Sequence, residues 1–446
     1  MARYFGTNGV RGKFDELTPE LTLRLSQAIG QHLGPGKVVL ARDCRLTGEV
    51  LRSAAAAGLA AAGCGVVDIG VASSPTAEFM VKKLKAAGCV IVSASHNPPE
   101  WNALKVVDGR GVSISRERGE EIEKLLDKPK LVQWDKVGRI IPYETATDEH
   151  IEAIARHVNA GRIRQKKPKL VLDCGNGTAC LIAPKLMKCL GCEILTLNSH
   201  PDGRFPGRPS EPSEANVKEL IALVKSGGAD AGIAWDGDGD RVIFVDEKGR
   251  YVIGDMVVAL SLLWGSHGKK PGGDVVTTVA TSKAVEDVAK KLGAKVRYTA
   301  IGAPYLSEEM LKGKAFMGGE EVGGVIWPEI SLAKDGFLTA AKLAEALCEK
   351  PLSKWLEGVP AYFNVKAKVD AGPKEKEEMV ARALDHAKKK KLPHVTVDGV
   401  RISMDDSWVI VRASGTEDYV RIFAEARTEA EAKKLAKEYE GIAKGS

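Results

Sequence analysis

The stretch Val92-Ser-Ala-Ser-His-Asn-Pro-Pro-Glu-Trp-Asn-Ala-Leu-Lys105 directly continues a short apolar run that begins at Cys89. An unbroken apolar run of this length predicts a strand buried on both faces, as in a parallel sheet. The double proline cannot continue a strand or a helix, so a stiff loop is expected at the strand's carboxyl end. Open α/β sheets carry their chemistry at such ends, which makes Ser95 a candidate nucleophile with Lys105 downstream. The alternative is that Ser95 is only a turn residue.

Three carboxylates alternate with glycine in Asp236-Gly-Asp-Gly-Asp-Arg241, between two apolar runs. Such a hard-oxygen cluster suits Mg²⁺ or Ca²⁺, and the glycines let the backbone bend so that the carboxylates converge. An EF-hand is excluded because Arg241 stands at the sixth position, where that loop needs glycine. A solvated acidic turn is disfavoured because uncompensated carboxylates repel one another. We therefore expect a divalent cation at Asp236, Asp238 and Asp240.

A third stretch near the carboxyl end combines hydroxyls, a glycine and two guanidinium groups. An apolar strand ending at Val411 leads into Arg412-Ala-Ser-Gly-Thr-Glu417, and the next strand carries Arg421. Such a strand-loop-strand segment suits a phosphate group, although a hairpin with surface arginines is the alternative. The candidate ligands are Arg412, Ser414, Gly415, Thr416 and Arg421. A hydroxyl nucleophile, a divalent metal and a phosphate clamp together indicate phosphoryl transfer.

Five stretches of the chain resemble, in the same order, the motifs of the α-D-phosphohexomutase superfamily. The resemblance covers nearly the whole chain, and its opening motif is most similar to that of phosphoglucosamine mutases. The stretch from Gly318 to Gly324, together with Phe205-Pro-Gly-Arg208, resembles the archaeal version. The five stretches are Phe5-Gly-Thr-Asn-Gly-Val-Arg-Gly12, the loop of Ser95, the loop of Asp236, Gly318-Gly-Glu-Glu-Val-Gly-Gly324 and the loop of Arg412.

The resemblance implies a phosphoserine enzyme that interconverts glucosamine 6-phosphate and glucosamine 1-phosphate through a sugar bisphosphate. One Mg²⁺ per subunit would be held by a phosphate oxygen on Ser95 and by Asp236, Asp238 and Asp240. Lys105 and Arg11 would act as catalytic cations. The substrate would be bound by Arg241, Glu320, Arg412, Ser414, Gly415, Thr416 and Arg421. A buried Glu320 that pairs with a core cation is the alternative for that residue.

Several positions depart from the superfamily pattern, although no catalytic group is lost. Val322 stands where serine or asparagine is common, Gly324 where many members have histidine, and Ala303 where many have a charged or polar residue. Because valine has no polar side chain, the choice of sugar is open. A phosphomannomutase/phosphoglucomutase with the same mechanism is the first alternative. A metal-dependent sugar phosphatase and a non-catalytic sugar-phosphate sensor are weaker alternatives, and a kinase is disfavoured because no Gly-x-x-x-x-Gly-Lys loop is present.

The order strand, loop, helix, glycine, parallel strand occurs three times, starting at Val38, Leu170 and Val275. The copies lie more than a hundred residues apart, so they predict three related α/β domains with mixed, mostly parallel sheets rather than a solenoid. A smaller α+β domain is expected at the carboxyl end. The expected domains are residues 1–148, 149–249, 250–360 and 361–446, arranged around a central cleft as the resemblance implies.

Composition excludes several classes of protein. Of the 446 residues 44% are hydrophobic and 28% charged, as in a globular protein, and the net charge is +6. The lysine run at 388–391 ends a predicted helix, so a nucleic-acid partner is not expected. No apolar stretch is long enough to span a membrane and no signal peptide is recognised, so we expect a cytoplasmic protein, monomeric or homo-oligomeric. The cysteines are expected to be reduced, and Cys189 and Cys192 lack the second pair that a zinc site needs.

Overall fold

Three successive units of the chain fold in the same order: strand, helix, strand, helix, strand, and a final antiparallel strand. We describe them from a computed structural model that covers residues 4–6, 9–127, 129–414 and 418–445. The first unit contains β1 (Phe5–Gly6), β2 (Gly9–Lys13), α1 (Pro19–Leu33), β3 (Lys37–Arg42), α2 (Gly48–Ala61), β4 (Gly65–Val71), α3 (Ser74–Leu84), β5 (Gly88–Val92), β6 (Trp101–Asp108), α4 (Arg116–Leu125), a 3₁₀ turn (Trp134–Lys136) and β7 (Ile140–Pro142).

The second and third units repeat this core with different additions. The second contains α5 (Ala146–Ala155), α6 (Ala160–Lys166), β8 (Lys169–Asp173), α7 (Ala179–Leu190), β9 (Glu193–Leu197), α8 (Lys218–Gly227), β10 (Ala231–Trp235), β11 (Val242–Asp246) and β12 (Tyr251–Val252). The third contains α9 (Gly254–Gly265), β13 (Asp274–Thr278), α10 (Lys283–Lys291), β14 (Val296–Thr299), α11 (Ala303–Leu311), β15 (Ala315–Glu320), β16 (Gly324–Ile326), α12 (Gly336–Ala346) and α13 (Leu352–Leu356).

The last unit is α+β, as the sequence predicts. Its five-stranded sheet has the order β17-β21-β20-β19-β18 and every pairing in it is antiparallel. It contains β17 (Phe363–Asp370), α14 (Pro373–Lys389), β18 (His394–Val395), β19 (Val400–Ser403), β20 (Trp408–Ala413), β21 (Tyr419–Ala426) and α15 (Glu429–Lys444).

Strand order is the same in the sheets of the three repeated units. The sequences β4-β3-β5-β6, β9-β8-β10-β11 and β14-β13-β15-β16 each consist of three parallel strands followed by one antiparallel strand. This pattern confirms the prediction of three related α/β domains with mixed sheets. The apolar run at Cys89 is β5, which pairs in parallel with β3 and antiparallel with β6.

Equivalent loops leave the carboxyl ends of β5, β10 and β15 and lead to the antiparallel strands. We call them the serine loop (residues 93–100), the aspartate loop (residues 236–241) and the glutamate loop (residues 320–324). The second and third units share one hydrophobic core, in which the rings of Trp235 and Phe337 stack 5.7 Å apart. That shared core fixes the aspartate loop relative to the glutamate loop. Within the described part of the chain, no helix is both long and apolar enough to cross a membrane.

Candidate active site

The serine loop turns Ser95 toward the second unit. The backbone of Ser95 has φ +52°, in the left-handed region that a non-glycine residue adopts only when its surroundings hold it there. The side chain is buried, and its Oγ donates a hydrogen bond to Asp236 Oδ2 across 2.5 Å. The predicted nucleophile and the predicted metal cluster are therefore in direct contact.

Arg45 holds the serine loop in this conformation. Its fully buried guanidinium donates to the carbonyl oxygens of Ser95 at 2.9 Å and of Asn97 at 2.7 Å. It also donates to the carbonyls of Trp101, at 3.0 Å, and of Pro98. One planar side chain thus fixes four carbonyl groups, which suits the rigid fork of donors that arginine provides.

Asp43 and Ser210 complete the support of Ser95. Asp43 accepts hydrogen bonds from Arg45 Nε at 3.0 Å and from the Ser93 hydroxyl at 2.7 Å. The Ser210 hydroxyl donates to the Ser95 carbonyl at 2.8 Å, and the Ser95 amide donates to Ser93 Oγ at 3.0 Å. Asp43, Arg45 and Ser210 were not predicted from the sequence. The one available signal was a pair of charged residues directly after the apolar strand β3.

The aspartate loop brings its three carboxylates together. Oxygen atoms of Asp236, Asp238 and Asp240 lie within 4.8 Å of one another, and all three residues are buried. The backbone amides of Gly239 and Arg241 donate to Asp236 Oδ1 at 3.1 and 3.3 Å. Gly239 has φ +77°, so glycine is needed there for the backbone to turn back on its own aspartate.

Cationic and hydroxyl groups occupy one oxygen each of Asp238 and Asp240. Lys105 Nζ lies 2.5 Å from Asp238 Oδ2, which also accepts from the Ser74 hydroxyl. Lys334 Nζ lies 3.2 Å from Asp240 Oδ2. The Oδ1 atoms of Asp238 and Asp240 are buried and have no hydrogen-bond partner among the described residues. Unpartnered buried carboxylate oxygens are the ligands that a hard divalent cation prefers.

The electrostatics of the three aspartates agree with such a cation. Burial raises the pKa of Asp236 well above its ordinary value, and the neighbouring Asp240 and Asp238 raise it further. Burial also acts on Asp238 and Asp240, but Lys105 and Lys334 outweigh it and lower the pKa of these carboxyls. A cation among the three would relieve their mutual repulsion. The donor set therefore fits Mg²⁺.

The structure brings the two predicted catalytic cations to the same place. Lys105, on β6, contacts two of the three aspartates, and these contacts raise its pKa against the effect of burial. Arg11, on β2, donates from Nη1 to Asn97 Oδ1 of the serine loop at 2.5 Å. His96 beside the nucleophile is neutral at pH 7, because burial and then the charges of Arg241 and Arg11 lower its pKa to about 3.

The glutamate loop meets the aspartate loop through Lys334, which was not predicted from the sequence. Glu320 Oε1 accepts from Lys334 Nζ at 2.6 Å, so the pairing with a buried cation that the sequence left open is present. Arg241 Nη1 donates to Glu211 Oε2 at 3.0 Å, and Arg241 Nε lies 3.9 Å from Asp240 Oδ1. Glu320 and Arg241, two of the predicted substrate ligands, thus lie beside the aspartates.

The predicted phosphate ligands of the fourth unit lie on paired strands. Arg412 on β20 is directly opposite Arg421 on β21. Arg412 Nε donates to Asp398 Oδ1 at 2.6 Å, and the two arginines are partly exposed, whereas Ser414 is buried. The other two predicted ligands lie outside the described residues: Gly415 and Thr416.

Comparisons with known proteins agree with this fold. Family models of phosphoglucomutase/phosphomannomutase match in four successive parts. The α/β/α domains I, II and III match residues 2–133, 148–249 and 254–363, and the C-terminal domain matches residues 365–441. The chain therefore belongs to the phosphoglucomutase/phosphomannomutase family. It is accordingly an enzyme of the phosphohexomutase class, an isomerase.

Similar proteins carry two different names within this family. A phosphoglucomutase/phosphomannomutase of Thermococcus kodakarensis is 39% identical over 445 residues, which is 97% of this chain and 96% of the relative. A probable phosphoglucosamine mutase of Methanopyrus kandleri is 39% identical over 447 residues, which is 99% of this chain and 98% of the relative. Among solved structures, a phosphoglucomutase/phosphomannomutase family protein of Burkholderia thailandensis superposes with a TM-score of 0.88 at 27% identity, covering 98% of this chain and 97% of that one.

Proposed function

We propose that this protein interconverts glucosamine 6-phosphate and glucosamine 1-phosphate through a phosphoserine at Ser95 and a sugar bisphosphate intermediate. The observation that carries this proposal is the 2.5 Å contact of Ser95 Oγ with Asp236 in a buried cluster of three carboxylates. A serine that only shaped a turn would not need a strained backbone whose amide and carbonyl are both tied down.

In the proposed cycle, Ser95 carries the phosphoryl group between the two ends of the sugar. The bond between phosphorus and Ser95 Oγ breaks as a bond to a sugar hydroxyl oxygen forms, and one proton passes from that hydroxyl to the serine oxygen. After the bisphosphate turns over in the cleft, its other phosphate returns to Ser95 by the reverse exchange. Arg11 and Lys105 contribute positive charge near the transferring group, where charge stabilisation governs the rate.

The three aspartates are proposed to hold one Mg²⁺ together with an oxygen of the phosphoserine. The metal, when bound, supplies charge stabilisation to the transferring phosphoryl group. Lys105 and Lys334 each hold one oxygen of an aspartate, so the other oxygen would remain available to the ion.

Binding of the sugar phosphate is assigned to the second, third and fourth units. Glu320 is proposed to accept hydrogen bonds from ring hydroxyls, and Arg241 to lie near the transferring phosphate. The phosphate that is not transferred would be held by Arg412, Ser414, Gly415, Thr416 and Arg421. In this proposal residues 1–148, 149–249, 250–360 and 361–446 are the domains that carry the serine, metal, sugar and phosphate ligands.

Glucosamine phosphate is the proposed substrate because the opening motif is most similar to that of phosphoglucosamine mutases. A second candidate, glucose or mannose phosphate, is favoured by the name of the Thermococcus relative and by Lys334. Since Lys334 already balances the charge of Glu320, that carboxylate has less attraction left for the ammonium group of an amino sugar.

Mass spectrometry of the purified protein tests the phosphoserine. We expect phosphate on Ser95 in part of the molecules and loss of nearly all mutase activity in Ser95→Ala. Ser226→Ala is the matched control, because Ser226 is an exposed helix residue whose hydroxyl, among the described residues, donates only to the carbonyl of Ala222 in its own helix. Full activity in Ser95→Ala would contradict the proposal.

Kinetics with glucosamine, glucose and mannose phosphates side by side test the substrate. We expect kcat/KM to be highest for glucosamine phosphate, with the neutral sugars detectable behind it. Free phosphate released in step with loss of substrate would instead indicate a phosphatase, and binding without turnover would indicate a sensor.

A further inference from the structure

Lys334 lies buried between two carboxylates from different units of the chain. Its side chain is 5% exposed, and Nζ lies 2.6 Å from Glu320 Oε1 and 3.2 Å from Asp240 Oδ2. The ammonium group therefore joins the glutamate loop of the third unit to the aspartate loop of the second. Both carboxylates are nearly as buried as the lysine, so bulk water could not solvate their charges if the lysine were removed.

The backbone around Lys334 is fixed on both sides. Lys334 forms a β-bridge with Ile326, and the Asp335 amide donates to the carbonyl of Val325 at 2.8 Å. Asp335 caps α12 with two hydrogen bonds and contacts His150 Nε2 at 3.0 Å through its other oxygen. The bridge aligns residue 334 with the strand β16, so the lysine stem runs across the first residue of that strand.

Gly324, the first residue of β16, leaves the space that this stem fills. A Cβ atom at position 324 would lie 2.3 Å from Lys334 Cδ, and 3.2 and 3.3 Å from its Cγ and Cε. Gly324 is not among the glycines with positive φ, so the backbone does not require glycine here. The requirement is one of space: any side chain at 324 displaces Lys334.

We propose that Lys334 is a positioning residue for the sugar-binding carboxylate and for a metal ligand, and that Gly324 is the residue that admits it. Lys334 holds Glu320 beside the aspartate loop and turns Asp240 so that Oδ1, which has no hydrogen-bond partner among the described residues, remains available. This inference rests on the proposed function, in which Glu320 contacts the sugar and Asp240 the cation.

The first experiment replaces the charge and keeps most of the volume. With a neutral sugar phosphate, which has no ammonium group for Glu320 to attract, Lys334→Met should raise KM and lower kcat, each by about tenfold or more, because two buried carboxylates lose a charged partner. Calorimetric binding of the sugar phosphate in EDTA should weaken as well, which tests Glu320 without metal. Lys342→Met is the matched control, since Lys342 is a largely buried lysine of the same unit that pairs with Glu329 at 2.9 Å outside the proposed site.

The second experiment moves Lys334 without changing it. Gly324→Ala should reproduce the defect of Lys334→Met, because the new methyl group takes the position of the lysine stem. In the double variant the two losses should not multiply, since the second change removes a contact that is already broken. Thermal unfolding of each variant shows whether a loss comes from the site or from the fold.

The outcomes separate this inference from the proposed function. Wild-type protein without mutase activity would contradict the proposed function. Active wild type with Lys334→Met within twofold of it in KM, kcat and metal-free binding would overturn the positioning role. If Lys334→Met fails to fold, Gly324→Ala decides: wild-type kinetics in that variant would overturn the role of Gly324 and of the lysine that it admits.

Discussion

Ser95 and the three aspartates are closed off from water, whereas Arg412 and Arg421 of the fourth unit are not. Ser95 is 3% exposed and Asp238 is fully buried, while the Arg412 side chain is 22% exposed. Ser95 is also held through its amide and its carbonyl by other parts of the first two units. A buried site held by many hydrogen bonds suits groups that stabilise charge in a transition state. Two partly exposed guanidinium groups suit a phosphate that must be bound and released.

The largest effect should follow from Asp238→Asn in the closed region. The change removes a charge that faces Lys105 and an oxygen proposed to bind the metal, so we expect kcat to fall by about 10²–10³-fold. EDTA should abolish wild-type activity, and Mg²⁺ should restore it. Steady-state rates over a range of Mg²⁺ concentrations measure both effects.

Asp148→Asn is the control for this prediction, because Asp148 is an exposed residue of α5 that pairs only with Lys185 at 3.4 Å among the described residues. If Asp238→Asn stayed within tenfold of the wild-type rate, the closed region would not be the place where charge is stabilised. Unchanged rates in EDTA would contradict the proposed need for a divalent cation.

Arg45→Lys should have the next largest effect, and it should act on kcat. Lysine keeps the charge but cannot reach four carbonyls at once, so the strained backbone of Ser95 loses part of its support. We expect kcat to fall about tenfold or more with KM nearly unchanged.

Ser210→Ala removes a single hydrogen bond to the carbonyl of Ser95 and should cost about 0.5–1.5 kcal/mol in activation free energy. A rise in KM with constant kcat would contradict a role in positioning Ser95.

Much of the fold and of the candidate site could be predicted because the signals are local. Three copies of one strand-helix pattern predicted the three α/β domains, and Ser95 and the aspartates stand in short motifs at strand ends. For Arg45 the only such signal was its place just after the apolar strand β3, and Lys334 gave none. Their partners lie in distant segments. Arg45 donates to carbonyl groups about fifty positions away. Lys334 forms a β-bridge with Ile326 of β16, and its stem crosses Gly324 to reach Asp240.

In the more exposed region, Arg421→Ala should mainly raise KM. A charge-assisted bond to phosphate contributes about 1.5–3 kcal/mol, which corresponds to roughly tenfold to a hundredfold in affinity. A smaller loss of kcat is expected because the bisphosphate must be held while it turns over. A fall in kcat larger than the rise in KM would contradict the assignment of catalysis to the first two units and of phosphate binding to the fourth. Initial rates over a wide range of sugar phosphate separate the two constants.

Asp398→Asn should give the smallest effect, and in the opposite direction. Asp398 Oδ1 accepts from Arg412 Nε at 2.6 Å and Oδ2 accepts from the Ile301 amide at 3.2 Å, so the carboxylate both positions the arginine and competes with a phosphate for it. Asparagine keeps one acceptor and removes the charge. Because partly exposed ion pairs contribute about 0.2–1 kcal/mol, KM should fall by about two- to fivefold, and more at low salt than at high salt. A rise in KM would mean that the charge of Asp398 matters more for placing Arg412 than as a competitor for it.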